Sequence, residues 1–107
     1  MNTLSHLDER RAVLRELRTI PGIGPSLAQD LYSLGIRRVA DLKRRSPERL
    51  YRQLERQTGT HQDRCVLYVF RCAVYFARTP APEPARLLWW NWMDAPARRR
   101  QPSPDPR

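Results

Sequence analysis

The chain has 107 residues, with 20 Lys+Arg against 11 Asp+Glu for a formal net charge of +9, together with ten prolines and two cysteines. That length supports one domain, and two cysteines do not make a disulfide framework. No uncharged apolar run approaches the ~18 residues of a membrane span.

The start, Met1–Asp8, lacks the basic and apolar segments of a secretory signal. A soluble, cytoplasmic, basic protein without a membrane partner is therefore expected. The charge favours an anionic partner, nucleic acid first. Nineteen of the twenty cations are arginines and Lys43 is the single lysine, and the positive excess is spread over both halves of the chain. The arginine bias suits phosphate contact, but a biased genome composition would produce it equally well.

Leu4, Leu7, Leu14 and Leu17 recur at helical spacing and predict a helix through Leu7–Arg18, with Val13 and Ile20 widening its apolar stripe. Pro21-Gly22-Ile23-Gly24 stops it. Pro25 opens the next helix, which carries Leu27, Ala28 and Leu31 and ends at Gly35. A short helical turn around Val39–Arg44 follows. Ser46-Pro47-Glu48 is a start signal for a helix bearing Leu50, Tyr51 and Leu54 and ending at Gly59. Asp63 or Thr60 caps the last helix, Arg64–Arg78. Its polar residues, Arg64, Tyr68, Arg71, Tyr75 and Arg78, form one narrow stripe, which reads as the only exit to water of a central core helix. No strand pattern bounded by turns occurs, so the expectation is an all-α fold of four to five helices.

Proline then divides the chain. Residues 1–78 read as the domain, and Thr79–Pro84 as a stiff connector leading into the Trp-rich segment to residue 95. Residues 96–107 read as a disordered tail. Trp89, Trp90 and Trp92 either fold back to close the bundle, or form a stacking platform for single-stranded nucleic acid or an oligomer contact.

Few residues suggest bond-making chemistry. Cys65 and Cys72 are too far apart along one helix to bridge. His61, Asp63 and Cys65 cluster at a helix start, where a dipole lowers thiol pKa values, but they supply too few ligands for a metal. A capped helix start with a buried cysteine is the preferred reading. No phosphate-binding loop, dinucleotide loop, nucleophile set or inward carboxylate pair occurs. Neither enzyme activity nor a metal or other cofactor is expected.

The specific signal is Leu17-x-x-Ile20-Pro21-Gly22-Ile23-Gly24-x-x-x-Ala28-x-x-Leu31. Two helices must reverse within about four residues, which glycine makes feasible through positive φ and close approach. The backbone N–H groups of Gly22, Ile23, Gly24 and Ser26 then lack helical partners at the positive end of a dipole, a site suited to a backbone phosphate. Such a contact carries no base code. This pattern resembles the helix-hairpin-helix motif of non-sequence-specific DNA-binding proteins. With LGI at 34–36 and VADL at 39–42, the stretch Leu17–Leu54 is similar to tandem helix-hairpin-helix arrangements of DNA repair and recombination proteins.

Adding GTHQDRCVLYVFRCAVYFA at 59–77 and WWNW at 89–92, the chain resembles the small bacterial pathogenicity-locus helix-hairpin-helix family over roughly residues 14–94. The resemblance implies an all-α domain of SAM-like helix-hairpin-helix type that binds DNA. Pro25, Ser26 and Leu27 stand where related hairpins often carry a cation, so the phosphate-attracting field falls to Arg18, Arg37, Arg38, Lys43, Arg44 and Arg45. The expected function is low-specificity binding to the sugar–phosphate backbone of DNA. A protein-interaction adaptor or self-associating module is the alternative.

Overall fold

The computed structural model describes residues 3–94, so the tail expected at 96–107 lies outside the described residues. Within them the fold is all-helical, without a strand. Helix α1 spans Thr3–Leu17, α2 Pro25–Ser33, α3 Pro47–Thr58 and α4 Arg64–Arg78. Three 3₁₀ helices, Val39–Arg44, Pro84–Leu87 and Trp89–Trp92, complete it.

Local chemistry sets most boundaries. Pro25 starts α2, and the chain leaves that helix through Gly35 at φ +93° while the Ile36 N–H returns to the Leu31 carbonyl at 3.0 Å. The Ser46 hydroxyl accepts the Arg49 N–H at 3.3 Å, Pro47 is the first residue of α3, and Gly59 ends it at φ +67°. Asp63 caps α4 by accepting the Cys65 N–H at 2.8 Å.

Helix α4 is the central element. Leu67, Val69, Phe70, Ala73 and Val74 are buried against Leu17, Ile20, Leu31, Leu42, Leu50 and Leu54. Deleting one such large side chain costs about 2–5 kcal/mol, which fixes the elements around α4. Ala28, wholly buried, lets α2 lie close to its neighbours. The apolar stripe of α1 is shorter than its leucine spacing suggests. Val13 and Leu14 pack against the core and Leu17 enters it, but Leu7 is 45% exposed. The cause is length: at 1.5 Å per residue the nine-residue α2 is only about 60% as long as the fifteen-residue α1, whose early turns overshoot it.

After α4 the chain doubles back as a strap, residues 79–94. It descends antiparallel to α4, and successive contacts mark its course. The Tyr75 hydroxyl accepts the Glu83 N–H at 3.0 Å, and Cys72 Sγ lies 3.5 Å from the Arg86 carbonyl. Arg71 Nη1 donates to the Trp92 carbonyl at 2.8 Å, and Arg64 Nε to Asp94 Oδ2 at 2.8 Å. In its middle this corrects the reading of the Arg/Tyr stripe as an exit to water, while Arg64 and Arg78 at its ends are exposed. Tyr68 is buried with its hydroxyl 3.2 Å from Asp94 Oδ2, and Arg71 is mostly buried between Glu48 and Asp94.

Candidate nucleic-acid interface

The turn between α1 and α2 is built from residues 18–24. Thr19 and Ile20 N–H groups close back onto the Glu16 and Leu17 carbonyls, at 3.0 and 3.2 Å. Ile20 and Ile23 anchor the turn in the core, while Gly22, Pro25 and Ser26 face solvent. Gly22 takes φ +87°, a left-handed conformation that costs other residues about 1–2 kcal/mol. Gly24 differs from this expectation: it is extended at φ −94°, ψ −170°, as the N-cap of α2, and open space surrounds the position of a Cβ.

The N–H groups divide as well. Ile23 is not an open donor, because its N–H reaches the Ile20 carbonyl at 3.1 Å and closes a turn. The Gly22, Gly24 and Ser26 N–H groups meet no acceptor among the described residues, and neither does that of Leu27, which the sequence pattern did not single out. Helix N-termini carry four orphan donors, and α3 and α4 cover theirs in part with Ser46 and Asp63. Gly24 offers α2 no side chain. The positive end of α2 is left to an external acceptor.

The cations assigned to this site by sequence do not behave alike. Arg18 lies in the turn, exposed and without an ion pair among the described residues. Arg37 is committed to the fold: its guanidinium sits 3.7 Å from the Tyr32 ring centroid and Nη1 donates to the Tyr32 carbonyl at 2.7 Å. Arg38 is exposed, and its N–H and that of Arg37 both donate to Asp41 Oδ2, at 3.1 and 2.9 Å. Lys43 and Arg44 are exposed in the last turn of the 3₁₀ helix, and Arg45 is half-buried. Glu16 of α1 reaches across to the Val39 N–H at 2.8 Å, so α1 itself positions this second basic cluster. No local pattern revealed that contact, because the partners lie on different elements.

The back of the turn is supported by distant residues. A methyl placed on Gly22 would lie 3.5 Å from Val69 Cγ1 and 3.6 Å from Trp89 Cδ1. The three tryptophans therefore separate. Trp89 is half-buried behind the turn, and Trp92 packs on Tyr75 at 5.4 Å with its indole N–H bonded to the Arg86 carbonyl at 2.8 Å. Trp90 is 51% exposed. Asp94 fastens this arrangement: the Arg64 guanidinium, with help from Arg71 and Tyr68, holds its carboxyl down to about 2.

At the other end of α3, Glu55 takes the Gln62 N–H and His61 Nδ1, at 3.0 and 2.6 Å. Cys65 is exposed, contrary to the expectation of burial. Cys72, two turns later on the same face, is covered by the Arg86 carbonyl, whereas the strap swings toward Arg64 and Tyr68 before reaching Cys65. The Asp63 carboxylate beside it pushes the Cys65 thiol up, with some help from desolvation. No group of three metal-ligating side chains occurs among the described residues.

The described part of the chain is thus a small all-helical domain with an uncapped helix terminus at a glycine turn and no helix long and apolar enough to cross a membrane. Residues 10–99 match the model of the family described as Cdd1, pathogenicity locus, and the chain belongs to that family. It is 31% identical over 85 residues to a mitomycin resistance protein, McrB, of Streptomyces lavendulae, an alignment covering 79% of this chain and 75% of that protein. No solved structure matches it.

Proposed function

We propose that the chain binds DNA with low sequence specificity, holding a backbone phosphate on a helix-hairpin-helix formed by α1, the Pro21–Gly24 turn and α2. The observation that carries this reading is the uncapped N-terminus of α2, where four N–H groups lack acceptors among the described residues on a chain of net charge +9. Gly22, Gly24 and Ser26 are the donors, joined by Leu27. Arg18, Arg38, Lys43 and Arg44, with Arg45 at the margin, supply the counterion-releasing field. In this reading the domain is a binding module and performs no reaction.

Titration of a labelled duplex tests it. Binding is expected at low salt and should fall about 100-fold between ~50 and ~200 mM salt for about four neutralised phosphates. Ser26→Asp separates binding from folding, because an acid in the first turn favours the helix yet repels phosphate. Its affinity should drop at least about five-fold while thermal stability holds or rises. An undetectable complex at low salt, or unchanged affinity in Ser26→Asp, would sink the proposal. Docking of a protein or a second copy is favoured instead by the exposure of Leu88 (39%), Trp90 (51%) and Met93 (55%), and predicts a concentration-dependent sedimentation coefficient.

A further inference from the structure

The strap brings an aromatic surface to the phosphate-binding turn. Trp89 stands behind Gly22, 3.6 Å from where a methyl on that residue would lie, and packs against the bundle. Trp90 stands edge-to-face on Trp89, with ring centroids 5.7 Å apart and planes at 83°, so it lies one ring away from the turn. It is 51% exposed, and its indole N–H has no acceptor among the described residues. Trp92, by contrast, is tied to Arg86 and Tyr75. A large ring left in water, one ring removed from the glycine turn, fits a ligand that couples a flat apolar face to a phosphate.

The geometry points to an unpaired nucleotide as that ligand: its phosphate rests on the α2 N-terminus and its base stacks on Trp90, so the preferred DNA is single-stranded or frayed. This rests on the phosphate reading above and names its substrate. In an intact duplex each base face is covered by its neighbours, so only an unpaired base presents a ring to Trp90. Stacking of this kind tolerates any base, in keeping with a phosphate contact that reads none. The charge of +9 supplies the long-range attraction that an uncharged ring does not.

The test compares a labelled oligothymidylate of about ten nucleotides with a blunt duplex of equal length, at low salt, using the full chain. Wild type should bind the single strand more tightly. Trp90→Ala should lose roughly five-fold or more on the single strand and little on the duplex, and Trp90→Phe should retain most of the affinity. Thermal unfolding should show both variants folded, since the ring is on the surface.

Loss of single-strand affinity in Ser26→Asp but not in Trp90→Ala would overturn the stacking assignment and leave the phosphate reading standing. Equal losses on both DNAs in Trp90→Ala would overturn the assignment to unpaired bases. Failure of wild type to bind either DNA would overturn both readings. A changed sedimentation coefficient in Trp90→Ala at unchanged affinity would give the ring to a second copy and also overturn the assignment.

Discussion

Two of the joints that pass the backbone into the N-terminus of an α-helix treat their polar groups in opposite ways. Between α3 and α4, residues 59–63 lie at the surface but find partners for their polar groups within the chain. Gln62 gives its N–H to Glu55, its carbonyl accepts the Tyr51 hydroxyl, and Asp63 caps α4. Between α1 and α2, residues 18–24 anchor two isoleucines in the core but leave the helix terminus open. One joint is closed by neighbouring side chains, and the other leaves N–H groups without acceptors among the described residues. The open joint also relies on Val69 and Trp89 behind it.

The comparison can be broken most severely at Gly22. Replacement by valine adds left-handed strain and pushes on Val69 and Trp89, so Gly22→Val should destabilise by about 2 kcal/mol or more. For a domain of this size that lowers the melting temperature by roughly 10 °C. A melting curve within a few degrees of wild type would show the turn to be less tightly backed than its contacts indicate.

Asp63→Ala opens the closed joint. It should cost about 1 kcal/mol in denaturant unfolding. The same change removes the carboxylate that raises the Cys65 thiol, so alkylation of Cys65, slow at neutral pH in wild type, should accelerate. An unaltered alkylation rate would separate the cap from the thiol.

Gly24→Asp performs the reverse experiment by giving α2 the cap that α4 already has. The backbone there is extended and the Cβ position is open, so stability should rise by a few tenths of a kcal/mol. DNA affinity should fall, since the new carboxylate occupies the donors. Stability and affinity rising together would contradict the proposed role of these N–H groups.

The smallest effect concerns the strap. Asp94 faces Arg64, Arg71 and Tyr68, and Glu48 shares Arg71. Burial lifts the Glu48 carboxyl, but its backbone hydrogen bond and Arg71 outweigh that and leave it lowered. A carboxyl held below its ordinary range contributes stability above the ordinary value of 3.8 and loses it as pH falls toward about 2. Exposed pairs of this kind are weak, so acid should loosen the strap only modestly. Tryptophan emission should stay constant from neutral pH to about 4, then shift to the red toward pH 2. Asp94→Asn, which cannot titrate there, should show the red-shifted emission already at neutral pH and lose most of the acid-dependent change.

What the sequence made legible follows from range. Pro25, Ser46-Pro47, Gly59 and Asp63 act within a turn of the residues they punctuate, so helix starts and stops could be read directly. The 3.6-residue pattern likewise identified α4 as the core helix. Contacts between distant elements carried no such signal. Nothing in the spacing of the Arg/Tyr stripe announces Asp94, which lies beyond a proline-rich connector, and Cys65 and Cys72 look alike on a helical wheel until the strap covers one of them. At the turn the sequence located a reversal between two helices and a positive φ at Gly22, but not that Ile23 closes a hydrogen bond, that Gly24 is extended, or that Arg37 lies on Tyr32.

The position of Trp89 behind Gly22 has a consequence for the life of the chain. Trp89 and Asp94 follow all four α-helices along the chain, so synthesis delivers the turn before its backing. A nascent chain that ends before Trp89 holds the residues of α1, α2 and the glycine turn but neither the ring behind the turn nor the carboxylate that fastens the strap. Completion of the first joint is thereby a sign that the C-terminal part of the domain has arrived and folded home.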